Sequence, residues 1–111
     1  MNRIAMSPAA SALLRCLLGR ARVPRNRILL IDAVSVDWCS LTFAGERHRF
    51  ELRVPAPDSR LVVERMLDGL DDAEFSIPGV IVADVALTGA PALTRDGSTT
   101  ITIEALTVAA D

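Results

Sequence analysis

The chain has no lysine and no tyrosine, one histidine (His48), one tryptophan (Trp38) and two cysteines (Cys16 and Cys39). Each shortage removes a class of chemistry. With a single imidazole, any general base or metal centre must use His48 or do without histidine. Two cysteines in 111 residues do not make a secreted disulfide scaffold; they suit free thiols in a reducing, cytoplasmic setting, with a bridge between them left open. No apolar run approaches the ~20 residues needed to cross a bilayer, so no membrane partner is expected. Glycine-rich phosphate loops, Cys-x-x-Cys, Gly-x-Ser-x-Gly and His-Glu-x-x-His are all missing, which counts against the common nucleotide, redox, hydrolase and zinc classes. Neither a cofactor nor a metal is implied.

Without lysine, all 12 basic residues are arginine. That uniformity reads first as a coding-composition bias, and the placement of the arginines says more. Arg3, Arg15, Arg20, Arg22, Arg25 and Arg27 fall within residues 1–27 without one acid, while the remaining six face all 14 acids, a balance of 6 − 14 = −8. A basic arm over residues 1–27 therefore leads an acidic body over residues 28–111. The arm offers a surface to nucleic acid or an acidic partner, against which the acidity of the body argues. Its composition also resembles a mitochondrial transit peptide; as a secretory signal it fails, because Arg15 interrupts the apolar stretch.

Half of the residues are hydrophobic, which is high for a small chain covering its own core and points to self-association, a homodimer above all. The length suits one domain burying roughly two thirds of its unfolded surface.

Ser7-Pro8 starts a helix, with Ser7 as cap and Leu13, Leu14, Leu17 and Leu18 on one face up to Gly19. Pro24 marks a linker, and a strand begins at Ile28. Between Asp32 and Asp37 the apolar phase is lost, so a bulge or break is expected there. Over 38–54, Gly45-Glu46 reads as a two-residue type II′ connection. That register sets Trp38 opposite Arg53 and Phe43 opposite His48, with Cys39, Leu41, Phe43, His48, Phe50 and Leu52 on the packed face and Trp38, Arg47, Arg49, Glu51 and Arg53 on the wet face.

A second helix over 58–70, capped by Asp58 or Ser59, turns Val62, Val63, Met66, Leu67 and Leu70 to one side. Strands over 80–87 and 98–108 then join through Asp96-Gly97, read as a type I′ turn that pairs Ala92 with Ile101 and Val85 with Val108. Apolar parity switches near Thr88-Gly89, so the tip of this hairpin is expected to reach toward a second subunit.

The order predicts an α+β domain: a mainly antiparallel sheet of about four strands, one helix on its face and an additional N-terminal amphipathic helix. If the second and third strands are neighbours, that pair is parallel. Two surfaces compete as sites. Trp38, Arg49 and Arg53 form a candidate contact surface, readable as a cation–π and ion-pair cluster or as an anchor for a partner. His48 and Glu46 form a candidate polar site, for which a packed, hydrogen-bonded histidine is preferred to a catalytic one. Cys39 lies about 13 Å along the strand from His48, too far for a nucleophile pair. Asp68, Asp71, Asp72 and Glu74 load the second helix's C-terminal end with charge that its dipole disfavours, so solvent or the arginine arm is expected to compensate. The leading expectation is a non-enzymatic self-associating module, a dimer through sheet edges or through the hairpin tip from Ala90 to Ile103. The alternatives are binding of nucleic acid or an acidic partner through the arm, and a small enzyme pairing His48 with a carboxylate.

Overall fold

The computed structural model describes residues 5–110. Arg3, and with it part of the predicted arm, lies outside them. Helix α1 (Pro8–Arg20) starts where the sequence places it: the Ser7 hydroxyl accepts from the Ala10 N–H at 3.1 Å, and Pro8 fills the first turn. Ala10, Leu13, Leu14 and Leu17 are buried in the same core as the strands. Strands β1 (Leu29–Cys39) and β2 (Ala44–Val54) form the first hairpin, α2 (Ser59–Leu67) follows, and β3 (Val80–Leu87), the two-residue β4 (Ala92–Leu93) and β5 (Thr99–Ala109) complete the chain.

The fold is α+β. The sheet order is β1-β2-β5-β3, with β4 also paired to β5, and every pairing is antiparallel. Because β5 lies between β2 and β3, the conditional parallel pair does not arise. Both helices contribute to the core on one face of the sheet, where Phe50, Leu52, Val54, Ile101 and Ile103 meet Val62, Val63 and Met66. Each of these apolar side chains removes roughly 1.5–3 kcal/mol worth of apolar surface from water.

The first hairpin departs from the predicted register. Its turn is at Leu41-Thr42: the Ser40 N–H donates to Phe43 O at 2.7 Å and the Phe43 N–H to Ser40 Oγ at 3.1 Å. Cys39 pairs with Ala44, Trp38 with Gly45, Val36 with Arg47, Ser35 with His48 and Leu29 with Arg53. Trp38 therefore does not oppose Arg53, nor Phe43 His48. Gly45 is inside a strand, and its role is packing. A Cβ there would lie 1.9 Å from the Thr107 carbonyl oxygen, so glycine lets β2 and β5 approach. The slip of the turn moves by an even number of residues, so the β2 faces keep their predicted sides while their β1 neighbours change. The irregularity in β1 falls between Leu30 and Asp32, just before the stretch from Asp32 to Asp37 where it was expected, and within that stretch the pairing is regular.

The second hairpin is corrected too. Asp96-Gly97 does not form a two-residue type I′ turn. Thr94 N–H donates to Ser98 O at 2.8 Å and Gly97 N–H to Thr94 O at 3.1 Å, with Gly97 at φ +83°, which is a three-residue loop ending in a left-handed glycine. Val85 pairs with Ala105 rather than Val108. Along β5 the odd residues Thr99, Ile101, Ile103, Ala105 and Thr107 are all buried, so its parity does not switch. The tip is held by its own chain: the Ser59 hydroxyl donates to Gly97 O at 2.7 Å and meets Thr99 Oγ1 at 2.8 Å. That bond takes Ser59 away from capping α2, whose preceding residue Asp58 sits at φ +60° without a side-chain cap.

Candidate functional site

His48 sits on the packed face, 2% exposed. Its Nδ1 lies 2.7 Å from Ser35 Oγ and its Nε2 2.8 Å from Thr107 Oγ1, and its ring stacks on Phe50 at 6.1 Å between centroids. The histidine therefore ties β1, β2 and β5 together. Burial lowers its pKa, partly opposed by the charge of Glu46. Both ring nitrogens are matched by hydroxyls, and Glu46 makes no hydrogen bond to the ring; a general base needs a free nitrogen facing a substrate. Cys39 pairs with Ala44, four residues from His48, which preserves a separation of about 13 Å. Cys16 and Cys39 are both free thiols. Among the described residues no group of three or more His, Cys, Asp and Glu side chains is placed to hold a metal.

On the opposite face no helix among the described residues covers the sheet. Val34, Val36, Arg47, Arg49, Asp84, Ala86, Glu104 and Leu106 surround a shallow groove of about 350 Å³. Register explains the grouping: Val34 pairs with Arg49 and Val36 with Arg47 across β1 and β2, then Arg49 with Glu104 and Arg47 with Leu106 across β2 and β5. Arg47 and Arg49 thus face Asp84 and Glu104 over an apolar floor. Among the described residues the one ion pair within 4 Å is Arg53 with Asp96.

The predicted contact cluster is redistributed. Trp38 is half-buried, with the Arg47 guanidinium 6.0 Å from its ring centroid. Arg53 turns instead to Asp96 and, at 3.1 Å, to Ser98 Oγ. Hydrogen bonds from Ser98 and Thr94, with a smaller contribution from Arg53, hold the Asp96 carboxyl far below the usual range. Arg49 stays exposed beside the groove and Glu46 stands opposite Asp37.

The large exposed hydrophobic side chains are unevenly placed. Leu29, Ile31, Val34, Val36, Leu41 and Phe43 all belong to the first hairpin, while Leu61, Ile81 and Leu93 are the others among the described residues. Leu41 is fully exposed at 106%, Val36 at 58% and Phe43 at 56%. The stretch from Trp38 to Gly45 carries no charge. Leu41 and Phe43, expected on the packed face, are instead exposed at the turn, and Val34 and Val36 are contact candidates that the sequence reading passed over, with the alternation Val34, Val36, Trp38 as the available signal.

The arginine arm is partly committed within the chain. Arg20 Nε donates to Met66 O at 2.9 Å and its Nη2 to Asp68 O, closing the C-terminal end of α2. The positive charge expected there is present, delivered to carbonyl oxygens instead of to the acidic side chains. Arg27 donates to Pro55 O and Pro57 O. Arg15, Arg22 and Arg25 remain exposed.

No protein-family model matches the chain, and no curated protein is significantly similar to it. No helix among the described residues is long and apolar enough to cross a membrane.

Proposed function

We propose that this chain is a non-enzymatic, self-associating module whose contact surface is the first hairpin, and that it works as a dimer in a reducing, cytoplasmic setting. The observation that carries the reading is the concentration of exposed hydrophobics on that hairpin, six of the nine among the described residues, on a strand at the edge of the sheet. Scattered apolar residues need no explanation, whereas a row of them along one hairpin at an uncovered sheet edge favours a protein partner. The free thiols of Cys16 and Cys39 support the compartment. A catalytic role for His48 gains no support from a ring whose two nitrogens are occupied by Ser35 and Thr107. Binding of nucleic acid or an acidic partner by the arm is weakened by the use of Arg20 and Arg27 on backbone carbonyls.

The test is the mass in solution as a function of concentration, compared with Val36→Arg. The native chain is expected to shift toward dimer with concentration, and the variant to stay at 11.9 kDa with unchanged circular dichroism. A variant that associates as tightly as the native chain would remove the hairpin from the interface.

A further inference from the structure

We infer that two copies join edge to edge through β1, antiparallel about a two-fold axis at Val36, so that their sheets become one. The inference rests on the self-association proposed above and specifies its geometry.

The free edge of β1 can be deduced residue by residue. Ser40 and Phe43 close the hairpin with a backbone hydrogen bond. Antiparallel pairs alternate between bonded and non-bonded, so the even-numbered residues Val34, Val36 and Trp38 bond to β2 while Ala33, Ser35, Asp37 and Cys39 direct their N–H and C=O groups away from it. The Ala33 N–H agrees, since it donates to Asp32 Oδ1 at 3.0 Å. Only that donor is capped by a nearby side chain. Ser35, Asp37 and Cys39 leave a row of backbone donors and acceptors open for strand addition.

The side chains along this edge select a second copy and a register. With the axis at Val36, that residue meets the partner's Val36 and Ser35 faces the partner's Asp37. Val34 then faces the partner's Trp38. The same register brings Ile31 and Leu29 beside the turn carrying the partner's Leu41 and Phe43. All six exposed hydrophobics of the hairpin are thereby used, and each acid meets a neutral neighbour. Nearby registers fail. An axis at Asp37 opposes two like charges, one at Val34 sets Val36 against Asp32, and one at Ser35 sets Trp38 against Asp32.

A two-fold at Val36 makes a residue its own neighbour in a non-bonded pair, where Cα atoms stand about 4.5 Å apart, within the range a disulfide spans. The experiment is oxidation of Val36→Cys in a Cys16→Ala, Cys39→Ser background, with Ile81→Cys on the far edge strand as control. Solution masses of the native chain and of Asp37→Pro accompany it. Proline at 37 removes an N–H that points off the free edge and leaves the β1–β2 ladder intact, which circular dichroism checks. The expected result is a native dimer, rapid covalent dimer for Val36→Cys and none for Ile81→Cys, and an at least tenfold weaker association for Asp37→Pro. A native dimer without the Val36 cross-link, or with a dominant Ile81 cross-link, overturns the edge geometry and leaves self-association standing. A native monomer at every concentration overturns both. If Asp37→Pro does not fold, the cross-link alone decides.

Discussion

At Gly45 an added Cβ would come within 1.9 Å of Thr107 O, and backbone cannot yield as a side-chain end can. Gly45→Ala is therefore expected to destabilise the fold by about 2–3 kcal/mol in urea unfolding; a change below ~0.5 kcal/mol would show that β2 and β5 can separate freely. In sequence this glycine is indistinguishable from a turn glycine, and that ambiguity displaced the whole first register. His48 reads more plainly, since its place among Phe50 and Leu52 already implied a packed side chain. Its hydroxyl partners, at Ser35 and Thr107, were hidden because the β1–β2 register was displaced and the pairing of β5 with β2 depends on strand order, which the sequence left open. Burial lowers the folded pKa of this histidine, so the unfolded chain, with a pKa near 6.5, takes up the proton first. Stability is full above about pH 6.5 and falls as the pH drops toward the depressed folded value. As His48 is the only histidine, urea midpoints at pH 7.5 and 5.5 should differ for the native chain and converge for His48→Gln. A flat native profile would contradict the buried neutral ring.

Among the elements, α1 and α2 were legible because cap, proline and period agree, as Ser7, Pro8 and the Leu13, Leu14, Leu17 face show. The second hairpin was legible in its existence and wrong in its pairing. Leu106 and Val108 look like core residues beside Ile101 and Ile103, yet β5 buries Ala105 and Thr107 instead. A small residue and a hydroxyl bonded to His48 occupy the space, and a reading that follows hydrophobicity alone inverts that end of the strand. Arg20 adds a polar tie between α1 and α2, its guanidinium closing carbonyls at Met66 and Asp68. Arg20→Lys keeps the charge and loses the fork. A loss of about 1–2 kcal/mol is expected, read from the urea midpoint; an unchanged midpoint would mean that solvent satisfies those carbonyls equally well.

For the molecule as a whole, one face of the sheet is packed by the helices and the other, with the β1 edge, is left to solvent. Sequence composition foresaw the surplus of hydrophobic residues; it could not say where the surplus lay, because that depends on which strand ends at the edge. Sheet order places β1 there, and so moves attention from the second hairpin's tip, which Ser59 holds down, to the first. Sedimentation equilibrium of the native chain over a hundredfold range of concentration tests this most directly. The account predicts a mass rising from 11.9 kDa to twice that value and stopping there, as a closed two-fold pairing requires. A mass fixed at the monomer throughout, or one that climbs past the dimer without limit, would contradict it.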